Sequence, residues 1–220
     1  MATWIAVAAV LAAAAVAGWW WLHRVDSLGR RASVPWISLG VLAGIALVAV
    51  YSAWRHGALE RRLSGAASEL VGARVHVHCQ GYAASFVDAE FEPGYVRFDA
   101  SGRPARSTTV KADECGHLRS YLGSSKARPS PDEVVAVHLL THEAMHMAGL
   151  TDEARAECAA VQRDARTARL LGASAEEAAA LARAYWTAFY PRMPDAYRAP
   201  DCGAGGSLDE HLPDAPWTRS

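Results

Sequence analysis

The sequence predicts an α+β protein, mostly helical: an N-terminal two-helix transmembrane hairpin, then a small antiparallel sheet, then a helical domain. Three observations predict it. Two long uncharged apolar runs open the chain, a stretch of period-two alternation begins at Arg74, and the remainder carries repeated helix start and stop signals. The boundaries fall at 1–56 for the hairpin, 57–200 for the domain and 201–220 for a C-terminal tail.

Thr3 to Leu22 contains no charged residue, and Val34 to Trp54 is a second such run. Each is long enough to cross a hydrocarbon core of about 30 Å as a helix. Trp4 and Trp54 fall at one interface, and Trp19, Trp20, Trp21 and Trp36 at the other, which is an aromatic-belt arrangement. A cleaved signal peptide with Ala15-Val16-Ala17 at the cut is the alternative for the first run. The missing basic n-region, the length and the second run speak against it. Arginines do not orient the hairpin, because Arg24, Arg30 and Arg31 in the connection balance Arg55, Arg61 and Arg62 after the second run.

The cysteines orient it instead. Cys79, Cys115, Cys158 and Cys202 lie outside both runs, far apart and without a C-x-x-C pair. An even, scattered set suits two disulfides, in one of three connectivities, and an extracytoplasmic domain. The formal net charge is −1, with no arginine or lysine stripe interleaved with aromatics, so nucleic acid is not an expected partner. The bilayer is.

After the second run, Ala58 to Leu70 reads as a continuing helix that breaks near Gly72. Val75, Val77 and Cys79 alternate with His76, His78 and Gln80 as a strand, and the two histidines read as a solvated face rather than a metal pair. Tyr95 to Asp99 and Ser107 to Lys111 read as two more strands, with Ala100-Ser101-Gly102 as a turn between them. Asp113 to Leu122 is a short helix. The next helix starts with Ser130 as N-cap and Pro131 in its first position, and stops at Gly149. A further helix runs from an N-cap at Thr151 to about Leu171, and a last one from Ser174 to about Tyr190, ended by Pro191 and Pro194.

Inside the apolar run Val134 to Leu150 stands Thr141-His142-Glu143-Ala144-Met145-His146-Met147. Histidines four apart share one face of a helix, so His142 and His146 aim two imidazoles at one point, with Glu143 beside them as candidate general base. Without a metal, three such groups on a buried helix face carry a desolvation cost of several kcal/mol. His138 shares the face one turn earlier. It is a further ligand or, more often for such a residue, a hydrogen-bonding neighbour of the ligands.

The pattern His142-Glu143-x-x-His146 resembles the signature of the zincin metalloproteases. Residues 130–165, where Asp152-Glu153-Ala154 leads into Glu157-Cys158, are similar to uncharacterised membrane-anchored bacterial zincins. A Cys-Gly-Gly-Leu-Asp-like tail near Cys202 to Asp209 adds to the likeness. The resemblance implies a zincin-like domain, a bound Zn²⁺ and hydrolysis of a peptide or protein substrate. Zinc of that kind takes three protein ligands and leaves one position open. The run on to Gly149-x-x-Asp152 resembles the metzincins, with Asp152 as third ligand, although Met193 in Pro191-Arg192-Met193-Pro194 matches their Met-turn poorly. The other reading bends the chain at Gly149 into an antiparallel helix, which brings Glu157 level with the histidine pair and resembles the gluzincins. The expected ligand set is therefore His142, His146 and Glu157, with Asp152, Glu153 and Cys158 as alternatives.

In that reading Glu143 takes a proton from the attacking water and passes it to the leaving amine. His117, Tyr185 and Tyr190 are candidates to support the developing oxyanion, and the strands before the helix are candidates to hold an extended peptide by edge pairing. The competing expectation is a non-catalytic membrane protein with a structural zinc, or a degenerate zincin that binds a partner. An intact Glu143 argues against both. Intramembrane proteolysis is discounted, because the motif lies far beyond Trp54 and in no uncharged run of transmembrane length.

Overall fold

This computed structural model describes residues 2–25, 28–30, 36–81 and 93–217. Arg31, the start of the second apolar run at Val34 and the end of the tail lie outside the described residues, as does the side chain of Trp4. The chain is α+β and mostly helical, and its contacts divide it into Met1–Ala58 and Leu59–Ser220.

The first unit holds α1 (Ala2–Leu22) and the beginning of α2 (Trp36–Val71). Val7, Val10 and Leu11 on α1 and Val41, Val48 and Val50 on α2 are exposed. A helix apolar on every side has no face suited to water. By length and composition, one helix is long and apolar enough to cross a membrane, over Leu39–Val71. In α1 the described apolar stretch, Val7–Leu22, is shorter than a span. The two-span hairpin expected from the sequence is thus reduced to one qualifying helix among the described residues.

The second unit is built on a three-stranded sheet of order β1–β3–β2, with β1 His76–Cys79, β2 Gly94–Phe98 and β3 Pro104–Val110. β2 and β3 are antiparallel, joined by a tight turn in which Asp99 Oδ1 accepts from the backbone N–H of Ser101 and Arg103, and Gly102 takes a positive φ of 76°. β1 runs parallel to β3, pairing His76 with Ser107 through Cys79 with Val110. This corrects the antiparallel expectation. Alternation reveals a strand and its faces, not its direction, and only the short turn between β2 and β3 forces an antiparallel pair.

The outer edge of β1 is closed by α2. The N–H groups of Val75, Val77 and Cys79 donate to Ser68 Oγ (3.1 Å), Ser64 Oγ (2.8 Å) and Glu60 Oε1 (2.9 Å). Two residues of strand advance about 6.6 Å and four residues of helix about 6 Å, so a serine or glutamate every helical turn matches every second strand N–H. The other edge strand of the sheet is β2.

α3 (Ala112–Gly123) is tied to β1 by the disulfide Cys79–Cys115. α4 (Pro131–Met147) follows and is buried over most of its length: Val134, Val137, Leu140, Ala144 and Met145 all lie in the core. Its start is a full capping box, with Ser130 Oγ accepting from Glu133 N–H and Glu133 Oε2 accepting from Ser130 N–H. Its end is a Schellman turn: Leu150 N–H donates to Met145 O, Gly149 N–H donates to His146 O, and Gly149 takes φ 107°. α5 (Glu153–Val161) is capped by Asp152 rather than Thr151, because the Asp152 carboxylate accepts from Arg155 N–H at 2.9 Å. The long helix expected to about Leu171 is broken at Gln162–Arg163, and α6 (Asp164–Leu170) restarts after a break that no glycine or proline announces.

α7 (Ala175–Ala188) begins with a second capping box, Ser174 with Glu177, and two short 3-10 turns follow at Tyr190–Arg192 and Asp195–Tyr197. The tail has no regular structure but is held down. Cys158–Cys202 ties it to α5, Arg163 pairs with Glu210, Arg169 pairs with Asp214, and Trp217 meets Trp186 at 5.0 Å between ring centres.

Candidate metal centre

α4 and α5 are antiparallel across the bend at Ala148–Asp152. Met147 and Glu153 end and restart the helices, so the first turn of α5 stands beside His142 and His146, and its second turn beside His138 and His142. The contacts follow that order. Glu153 Oε2 lies 3.2 Å from His142 Nε2 and 3.3 Å from His146 Nε2, and these two nitrogens are 2.9 Å apart. Glu157 Oε2 meets the other nitrogen of His142, Nδ1, at 3.0 Å, and His138 Nε2 at 2.9 Å. The expected set of His142, His146 and Glu157 is thus divided between two clusters that share His142: His146 lies with Glu153 at Nε2, and Glu157 with His138 at Nδ1. Asp152 belongs to neither cluster and serves as a helix cap.

Hydrogen bonds at the far side of each ring orient the two Nε2 atoms. His146 Nδ1 lies 2.6 Å from the carbonyl of Leu150, which can only accept, so the ring proton is on Nδ1 and Nε2 carries a lone pair. His142 Nδ1 donates to the Glu157 carboxylate in the same way. The two Nε2 atoms and a Glu153 oxygen then converge within hydrogen-bond distance. In the metal-free chain a proton on His142 Nε2 satisfies that contact, in keeping with its raised pKa, and a bound cation would take that proton's place. Atoms bound tetrahedrally at 2.0–2.1 Å stand roughly 3.3 Å apart, close to the spacing here. Buried histidine and glutamate groups of this chain could therefore hold a metal ion.

Behind the first cluster lies a buried chain of charges. Glu157 Oε1 accepts from the Tyr185 hydroxyl at 2.7 Å, and His138 Nδ1 donates to Asp164 Oδ2 at 2.9 Å. Burial alone would push the His138 imidazole down, but the Asp164 and Glu157 carboxylates outweigh it and raise it to about 10. Burial likewise opposes the charge of His142, and its bonds to Glu153 and Glu157 lift it to about 9. Burial would raise Glu157, yet His138 and His142 hold it far below the usual carboxylate range. Asp164 is raised, because burial outweighs its contact with His138.

The His138 shift gives a pH dependence. A group raised above its unfolded value near 6.5 contributes its full stability below that pH and loses it as pH rises through about 10. Metal-free protein is therefore expected to melt at progressively lower temperature from pH 7 to 10. The slope should flatten in His138→Gln, as measured by thermal unfolding across that range.

Glu143 sits at the meeting of α4 with the sheet. Its Oε2 accepts from the Thr108 hydroxyl of β3 at 2.8 Å, and a Cβ on Gly94 of β2 would lie 2.8 Å from its Oε1. The bare glycine lets the strand approach the carboxylate. Glu143, His142, His146 and Glu153 open onto a cleft of about 320 Å³. Its walls come from β2 (Val96, Phe98), from α4 (Val135, Leu139) and from the chain after α7 (Met193, Pro194, Tyr197), and its charged lining residues are all glutamates or histidines.

Of the expected oxyanion donors, Tyr185 spends its hydroxyl on Glu157, Tyr190 is engaged with the backbone of Ala199, and His117 does not line the cleft. Tyr197 does line it, 6.0 Å from His142 between ring centres. His76 and Val77 alternate as expected, with both histidines of β1 exposed and away from the centre.

Sequence reasoning missed Asp164, Thr108, Gly94 and Tyr197. Asp164 carried no signal, because the helix break before it is unmarked. Thr108 and Gly94 matter only through a contact made 35 residues or more away along the chain. Comparison with protein-family models, with curated proteins and with solved structures finds no match to this chain.

Proposed function

We propose that the chain is a membrane-anchored zinc metallopeptidase. The ion would be held by His142 Nε2, His146 Nε2 and Glu153, and Glu143 would be the general base. The observation that carries this is the convergence of two imidazole Nε2 atoms and a carboxylate oxygen on a cleft that also holds Glu143. The third ligand differs from the expected Glu157, which in this reading binds through hydrogen bonds only. The resemblance of His142-Glu143-x-x-His146 to the zincins supports the same chemistry.

Zinc at such a site supplies a Lewis acid and brings bound water towards a pKa of about 7. The chain's own residues do the rest. Glu143, oriented by Thr108 and by the close approach of Gly94, accepts a proton from the nucleophilic water and delivers it to the leaving amine. β2 offers an edge to an extended peptide, since the opposite edge of the sheet is closed by α2. Disulfides Cys79–Cys115 and Cys158–Cys202 support a domain in an oxidising compartment, and the apolar stretch Leu39–Val71 supports a membrane anchor.

Full-length protein in detergent micelles is expected to hold one zinc and to cleave members of a denatured-protein peptide library, read by mass spectrometry. Glu143→Gln is expected to keep the metal and lose about 10²–10⁴ in turnover. Zinc retention with no cleavage by either form would favour a non-catalytic, structural site instead.

A further inference from the structure

We propose that His138, Asp164 and Tyr185 are positioning residues for the metal centre. They hold Glu157 so that it accepts the Nδ1–H of His142 and turns Nε2 of that ring towards the ion. This rests on the metal reading above and extends it into the helices behind the site.

Glu157 is 1% exposed and meets His142 at Nδ1. A buried carboxylate of that kind is costly unless donors surround it. Three do, each from a separate position in the fold: the Tyr185 hydroxyl of α7 on Oε1, and His138 Nε2 and His142 Nδ1 of α4 on Oε2. With both oxygens engaged, the carboxylate has one orientation. His138 is itself placed twice, by Asp164 at its far nitrogen and by the Tyr185 ring stacked on it at 3.5 Å and 10°.

An imidazole free of such a partner exchanges tautomers and rotates about χ2. One whose Nδ1–H is held offers only Nε2 to a metal, and partners of this sort change metal affinity by about 10–100-fold.

The test uses full-length protein in detergent micelles, with zinc affinity from competition against a chromophoric chelator and the visible absorption of the cobalt-substituted protein. His138→Gln is expected to bind zinc about 10–100-fold more weakly. Tyr185→Phe, which removes one hydroxyl and little volume, is expected to weaken it several-fold. Both should alter the cobalt spectrum. Tyr190→Phe, whose hydroxyl meets only the Ala199 backbone, should match wild type in both measurements.

Wild-type affinity and an unchanged cobalt spectrum in His138→Gln and Tyr185→Phe would overturn the inference and leave the metal centre standing, even if those variants melt earlier. Two metals per chain would overturn it as well, by showing that the inner cluster ligates. A wild type that binds no zinc would overturn the metal reading, and this inference with it.

Discussion

Glu153→Ala is expected to weaken zinc binding by at least about a hundredfold, whereas Glu157→Gln weakens it roughly tenfold. The asymmetry follows from which nitrogen each carboxylate meets. Glu153 Oε2 faces both Nε2 atoms, at 3.2 and 3.3 Å, and in the proposed site completes the donor set. Losing one of three protein ligands removes a share of a binding free energy that runs to about 10–16 kcal/mol in full structural zinc sites, so a loss of a few kcal/mol, or two decades in Kd, is expected. Glu157 faces Nδ1 of His142 and acts through that ring. Its amide analogue still accepts a hydrogen bond but no longer carries the charge, and the effect is that of an outer partner. Chelator-competition titration of the two variants side by side checks this. A ranking in which Glu157→Gln loses zinc and Glu153→Ala keeps it would restore the ligand set read from the sequence.

Removing either disulfide is expected to cost about 4 kcal/mol by the loop-closure argument, since the bridges span 36 and 44 residues. For a domain of this size that lowers the melting temperature by roughly 10 °C. The consequences at the site differ. Cys79–Cys115 fastens β1 to α3, away from the centre. Cys158 immediately follows Glu157, and Cys202 closes the segment that carries Met193, Pro194 and Tyr197 along the cleft. Cys158→Ala with Cys202→Ala is therefore expected to lower both stability and zinc affinity, and Cys79→Ala with Cys115→Ala stability alone. Thermal unfolding of metal-free protein and chelator competition on each double variant separate the two effects. Equal loss of zinc affinity in both pairs would show that the bridges act on the fold as a whole.

The parts of this protein that its sequence determined are those decided within a few residues. Ser130-Pro131 and Ser174 start helices because a side-chain oxygen reaches an N–H three residues on, and Gly149 ends one because it alone takes a left-handed φ at no cost. The alternation at Val75, Val77 and Cys79 marks a strand and its faces. The spacing of His142 and His146 places both rings on one face of α4 by helix periodicity alone.

What depended on groups distant in sequence only the tertiary structure decided. The direction of β1 is set by its pairing with β3, and the choice among three disulfide connectivities by which cysteines the packed core brings within 6 Å. The break at Gln162–Arg163 puts Asp164 beside His138, 26 residues away, with no local cue. Glu153 and Glu157 lie one turn apart on the same face, and nothing local ranks them. The ranking is made by how many residues the bend consumes and by which ring nitrogen each carboxylate then meets. A helix repeats every 3.6 residues but carries no record of where a neighbouring helix begins, so only the packing of α4 against α5 assigns those roles.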